Sequence, residues 1–256
     1  MALAHLHLSQ LPDTSLQTNW DFSLPTSKDQ SQWLYLTKKW LALTLKERKP
    51  YIDAAITDRH FPLQEQIERV LVPYQTQQER RINPALSYEV SIWLRTCYAP
   101  GLARAYADMA DFADEIVDNY QVLDDATIYD FGQNWDRILE RMPSLCDCDY
   151  WGDVDLDEPI ERDPLPPVDD PTFALHDAIQ RQVVMIYLID RQALEEKLIT
   201  LLWLDAHGEC VWWYKLDPEK LLAFSGWMAR GAGLMLLAQF DCEGVYEKGS
   251  LIDWIS

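Results

Sequence analysis

Asp111, Asp114, Glu115 and Asp118 form a DxxDExxD pattern, a spacing that sets carboxylates on neighbouring turns of one helix side. Two kinds of chemistry suit such a row. Mg²⁺ could be held for phosphoryl chemistry inside a helical bundle, with Asp136 and Glu140 as the second carboxylate pair. Alternatively the row, with Asp108 added, presents acceptors to the lysines and arginines of another protein. Helical periodicity separates the two. At 100° per residue Leu102, Tyr106, Met109, Ala113, Ile116, Val117 and Tyr120 share one sector, and Asp108, Asp111, Asp114, Glu115 and Asp118 lie opposite. Carboxylates that hold metal in a bundle point inward, whereas these point away from the apolar side. Repulsion between like charges one turn apart costs about 0.2–0.5 kcal/mol per pair, less than burial of the apolar side returns, so the helix needs no ligand to form. The expectation is an outward docking face, with the metal site Asp111, Asp114, Glu115 and Asp118 as the alternative.

Other groups offer less. Asp153, Asp155 and Asp157 open a stretch, DVDLDE, that begins like a calcium loop, but Glu158 stands at the sixth position where such a loop needs Gly. Read with the helix, these acids extend the docking face. Cys146 and Cys148 lack a second Cys/His pair at zinc-finger spacing, and His176-Asp177, a dipeptide used for metal binding in phosphohydrolases, has no upstream partner. GxSxG, P-loop and GxGxxG motifs are absent, and no cofactor is expected. Trp212 and Trp213 are adjacent; in a strand they face opposite ways, so one of them can serve as an interface anchor.

The elements that must position these residues read as helical over the first 143 positions. Trp33, Leu36, Trp40 and Leu43 make one stripe, ended by Pro50; Leu63, Ile67, Val70 and Leu71 make a short second one. Asn83 and Pro84 start a third helix with Leu86, Val90, Trp93, Leu94 and Cys97 on its apolar side, and Asp125 caps a fourth that carries Ile128, Phe131, Trp135, Ile138 and Leu139. Between Cys146 and Pro171 ten acids and five prolines accompany a single Arg, a composition suited to a connector. Residues 183–190 and 197–217 are rich in β-branched and aromatic residues, and Asp205-Ala-His-Gly208 supplies a turn between two runs. That is a hairpin, although Leu194, Leu198 and Leu201 also fit helical spacing. Asp217 and Pro218 then open a last helix through Leu221, Leu222, Phe224 and Trp227.

The expected fold is therefore mainly α: a helical N-terminal bundle over 1–145, an acidic Pro-rich connector over 146–171, and a smaller α+β segment over 172–256 with an antiparallel hairpin or meander and one or two helices. Charge guides the function. Of 22 Lys/Arg and 42 Asp/Glu, residues 1–100 hold 11 and 10, leaving 11 and 32 for the rest, so nearly all of the net −20 lies past residue 100. Such a field repels nucleic acid and anionic membrane and attracts cationic surfaces. The N-terminal stretch lacks a basic leader, no apolar run approaches membrane-spanning length, and five cysteines without a CxxC pair fit reduced thiols, so a cytoplasmic location is expected. The sum is a non-enzymatic acidic, Trp-rich protein that masks a basic protein partner, as an immunity protein or toxin or nuclease inhibitor would, its carboxylates replacing nucleic-acid phosphates. A helical divalent-metal phosphohydrolase and an assembly or scaffold protein are the rival readings.

Overall fold

The computed structural model describes residues 19–44, 47–48, 70, 73–82, 91–113, 121–146, 185–205, 207–228, 248–249 and 251–252. The chain divides into two compact units, one of Met1–Val90, Asp136–Arg162 and Ala206–Glu209, the other of Ser91–Trp135, Asp163–Asp205 and Cys210–Ser256.

In the first unit the described elements are helical. Helix α1, Asp29–Ala42, buries Trp33, Leu36 and Trp40 at the expected spacing, and its last turn closes when Leu43 donates back to Trp40 O. The helix stops there rather than running toward Pro50, because Thr44 and Glu47 form a capping box that starts a new turn. Thr44 N–H and Oγ1 donate to Glu47 Oε2 at 2.9 and 2.7 Å, and Glu47 N–H donates back at 3.4 Å. Thr76 and Glu79 repeat the device ahead of α2, Gln77–Ile82, at 2.5 and 3.1 Å. The Glu79 carboxylate, fully buried, also receives two bonds from Arg141, 2.6 Å from Nε and 2.9 Å from Nη2, so its charge is matched where water cannot reach it. Trp20, Trp33, Leu36 and Val70 form a small core. The Trp33 indole stacks on Tyr74 at 5.0 Å and donates to Glu140 O at 2.7 Å.

The second unit overturns the expectation of a helical bundle with a small hairpin. Among the described residues it contains a six-stranded mixed sheet in the order β2-β1-β3-β4-β5-β6, built from β1 (Ile92–Arg95), β2 (Val122–Leu123), β3 (Met185–Ile189), β4 (Ile199–Leu204), β5 (Cys210–Leu216) and β6 (Leu251–Ile252). The third predicted helix is contradicted at its centre, since Trp93 and Leu94 lie in β1. Ile92, Trp93 and Leu94 are all fully buried, hence the strand shows no polar/apolar alternation and its neighbours Val90 and Cys97 complete a false helical stripe. Every strand but β4 runs in one direction. The antiparallel β4–β5 hairpin expected from sequence exists, but in the middle of the sheet rather than as a small appendage, with Gly208 at φ +85° in its turn.

Parallel neighbours need a crossover, and α3, Ala103–Ala113, supplies the one between β1 and β2. Its buried Tyr106, Met109 and Ala113 pack with Trp93, Tyr187, Ile189, Leu201, Trp203, Tyr214 and Leu216 on one face of the sheet. Leu194, Leu221 and Phe224 join the same core. The predicted helix starting at Asp125 is real only as α4, Ala126–Tyr129, whose first turn is capped by the Asp125 carboxylate accepting from Thr127 N–H at 2.8 Å. Gly132, at φ +61°, breaks the run, and α5 resumes at Ile138–Arg141. Gly132 N–H donates to Thr96 O at 2.9 Å and its carbonyl accepts from Thr96 Oγ1 at 2.8 Å, so the break is bonded to the end of β1.

Helix α6, Arg191–Glu196, begins at Asp190, which accepts from Ala193 N–H at 2.8 Å, and ends at Lys197 in the left-handed region, φ 58°. Both readings of 194–204 thus apply in part: helix to Glu196, strand from Ile199. Helix α7, Leu221–Met228, follows a 3-10 turn at Pro218–Lys220 that Asp217 caps through Glu219 N–H at 3.0 Å. Among the described residues no helix is long and apolar enough to cross a membrane.

Candidate functional site

Helix α3 carries the first candidate face. Asp108 and Asp111 are exposed on the side opposite buried Tyr106, Met109 and Ala113. Neither carboxylate has a hydrogen-bond or ion-pair partner among the described residues. Asp114, Glu115, Asp118, Asp153, Asp155 and Asp157 lie outside the described residues, as do the connector beyond Cys146, Cys148 and His176-Asp177. Asp136 is exposed and Glu140 sits 3.5 Å from Lys38 Nζ. Among the described residues no three His, Cys, Asp or Glu side chains converge on a point that could hold a metal ion.

Other acids of the sheet unit are committed within the fold. Asp125, Asp190 and Asp217 cap first turns. Asp124 lies 3.3 Å from Arg95, Glu195 3.4 Å from Arg191 and Glu196 2.5 Å from Lys215. The Lys215 bond, with a second from Gln192, holds the Glu196 carboxyl below its usual range. The free negative surface is therefore narrower than the composition implies; among the described residues it includes the exposed Asp108, Asp111, Asp130, Asp136 and Glu219.

Trp212 and Trp213 are both half-buried. Trp212 packs at the margin of the sheet core, 6.1 Å from Tyr214, ring centre to ring centre. Trp213, on the opposite face, is covered by its own chain. Gly249 N–H donates to Trp213 O at 2.8 Å, and a Cβ on Gly249 would lie 2.5 Å from the indole. These contacts leave part of each ring to solvent.

Sequence reasoning missed the best-built polar cluster. At the end of β1 the Arg95 guanidinium lies between two tyrosine rings, 3.7 Å from the centre of Tyr106 and 4.3 Å from that of Tyr98. Its Nε donates to Cys97 O at 3.0 Å and its Nη1 to Asp124 Oδ1 at 3.3 Å. The Tyr98 hydroxyl is 3.2 Å from Arg95 O. Burial, and then Asp124, which favours the protonated phenols, push both tyrosines far above the usual phenol range, against the opposing pull of Arg95. Arg95, Tyr98, Tyr106 and Asp124 are scattered over thirty positions, and only the β1–α3–β2 crossover brings them together. The one signal available in sequence was Tyr106, already placed on the inner side of the helix.

Compared with models of protein families, with curated proteins and with solved structures, the chain matches none of them.

Proposed function

We propose that the protein is a non-enzymatic binding protein whose acidic face covers a basic surface of another protein, in the manner of an immunity protein or of an inhibitor of a toxin or nuclease. A single observation carries this reading: Asp108 and Asp111 stand exposed on a helix whose other side is buried, without a partner among the described residues, while acids around them are used in caps and ion pairs. Unpaired carboxylates on a helix held by its core are pre-positioned for lysine and arginine, and they steer a cationic partner at rates that fall with salt. Carboxylates set where phosphates would lie are the means by which such a face would compete with nucleic acid for a nuclease.

The test is capture from native lysate at low and high salt, with the natural chain and with Asp108→Lys/Asp111→Lys. Both positions are exposed, so the double change should leave stability within about 0.5 kcal/mol. The expected result is a basic protein that the natural chain retains at low salt and releases at high salt, and that the double variant never retains. Retention by the variant would overturn the proposal. So would a thermal midpoint that rises with micromolar to millimolar Mg²⁺ and loses the rise in Asp111→Asn, because binding to the native state then identifies a metal site.

A further inference from the structure

In the helical unit the chain approaches α1 through a turn that is held from two sides. Asp21 Oδ1 accepts from Ser23 N–H at 2.9 Å and from Ser23 Oγ at 2.6 Å, and Leu24 N–H donates to Asp21 O at 3.3 Å. From α1, Gln32 grips the same residue: its Oε1 accepts from Asp21 N–H at 2.6 Å, and its Nε2 lies 3.5 Å from Asp21 O. The turn is thus fixed, yet its two apolar side chains, Phe22 and Leu24, stay exposed. Tyr35, one helical turn along from Gln32, is 65% exposed. Five large apolar side chains are exposed among the described residues, and three of them stand here.

Charge singles out the same flank of α1. At 100° per residue Gln32, Tyr35 and Lys39 fall within about 60° of arc, and Lys28, which ends the 3-10 turn before the helix, stands one turn ahead of Gln32. Lys28 and Lys39 are exposed, and neither ammonium group has a partner among the described residues. Lys38, on the other flank, lies 3.5 Å from Glu140. The one acid of α1, Asp29, is buried, and the Asp21 carboxylate is turned onto Ser23. In a chain of net charge −20 this strip is locally positive, with its two lysines about 16 Å apart along the helix and Tyr35 between them.

We propose that this strip docks an acidic peptide segment of another protein, lying extended along α1 with a large apolar residue against Tyr35 and the 21–24 turn and a carboxylate toward each of Lys28 and Lys39. About five residues of extended chain span the distance between the lysines, so the segment carries acids about five positions apart with apolar residues between them. The fixed turn adds no ordering cost on binding, and the exposed aromatic rings supply anchors. The lysines set the sign of the partner, and their pull weakens with salt. A nucleic acid fits less well, because the rest of the chain repels phosphates and the strip offers them only two cations. The assignment involves the other compact unit and the opposite charge, and is independent of the acidic docking face on α3.

The test is titration of the full-length, ¹⁵N-labelled protein with a capped peptide that has two glutamates at each end and Leu-Phe-Leu between them, read from the amides of residues 21–24 and 35–39. Three controls run at matched ionic strength: the same peptide with lysines at its ends, the acidic peptide with Gly-Ser-Gly at its centre, and a short DNA duplex. Saturable shifts with the acidic apolar peptide, at an affinity on the order of 100 μM that weakens with salt, are the expected result. Tyr35→Ala should weaken binding by about tenfold, and Lys28→Glu/Lys39→Glu should abolish it. All three positions are exposed, so the fold should survive both variants. Four outcomes would overturn the proposal: no saturable shift in the natural chain, equal binding of the Gly-Ser-Gly or the lysine-ended peptide at these amides, unchanged binding in the double variant, or tighter binding of the DNA duplex than of the acidic apolar peptide.

Discussion

Gly249 has no side chain because Trp213 occupies the space one would need. Its φ of +87° already disfavours any other residue, and an added Cβ would stand 2.5 Å from the indole. Gly249→Ala should therefore cost about 1–3 kcal/mol, read as a lower urea midpoint together with a shift in tryptophan emission. Cys210 permits a chemical test. Burial pushes its thiol up to about 11 from an ordinary 9.0, with Lys248 acting in the opposite direction. A thiol held protonated by the fold but free to ionise in the unfolded chain contributes stability that is complete below pH 9 and lost as the pH rises through 11. Alkylation of Cys210 by iodoacetamide at pH 8 should accordingly be slow in the native protein and fast in urea, followed by mass spectrometry of the modified peptide. Rapid native labelling at that position would contradict the burial. At this scale the sequence was legible where chemistry is local. Asp125, Asp217 and Pro218 each act within four residues, whereas Arg95 and Asp124 meet only through the sheet.

Helix α6 shows how a short element is held at both ends and why its extent was ambiguous. Leucines at 194, 198 and 201 keep helical spacing, but Lys197 adopts φ 58° and turns the chain, so Leu194 belongs to the helix and Leu201 to β4. A lysine in the left-handed region pays a steric cost that glycine avoids. Lys197→Gly should raise stability by up to about 1 kcal/mol, while Asp190→Ala, which removes the acceptor for Ala193 N–H, should lower it by about 1 kcal/mol. Paired urea melts followed by circular dichroism would show the opposite signs. The β1 misreading has a different origin. Strands buried on both faces carry no period of two, and an apolar run of three between polar residues fits a helix as readily as a strand. The stripe of α3 was legible because one side is wet and the other dry, which is the condition under which periodicity carries information.

For the molecule as a whole, the sheet is assembled from both halves of the chain. β1 pairs with β2 on one side and with β3 on the other, in register from Ile92 opposite Ile186 to Arg95 opposite Ile189. A fragment ending at residue 145 keeps β1 and the two-residue β2 but lacks the four strands beyond them, so Ile92, Trp93 and Leu94 lose most of their cover. That fragment should be recovered largely as aggregate, while the full chain stays in solution, as pelleting after matched expression would show. A soluble, cooperatively melting 1–145 fragment would be incompatible with this sheet. The same pairing bears on synthesis. As the polypeptide leaves the ribosome, β1 waits for a neighbour that is encoded more than ninety codons downstream, which at about 5–20 residues per second is a delay of roughly 5–20 s. Throughout that interval the nascent chain carries an apolar, unpaired edge, and a chaperone that shields extended hydrophobic segments would find it there.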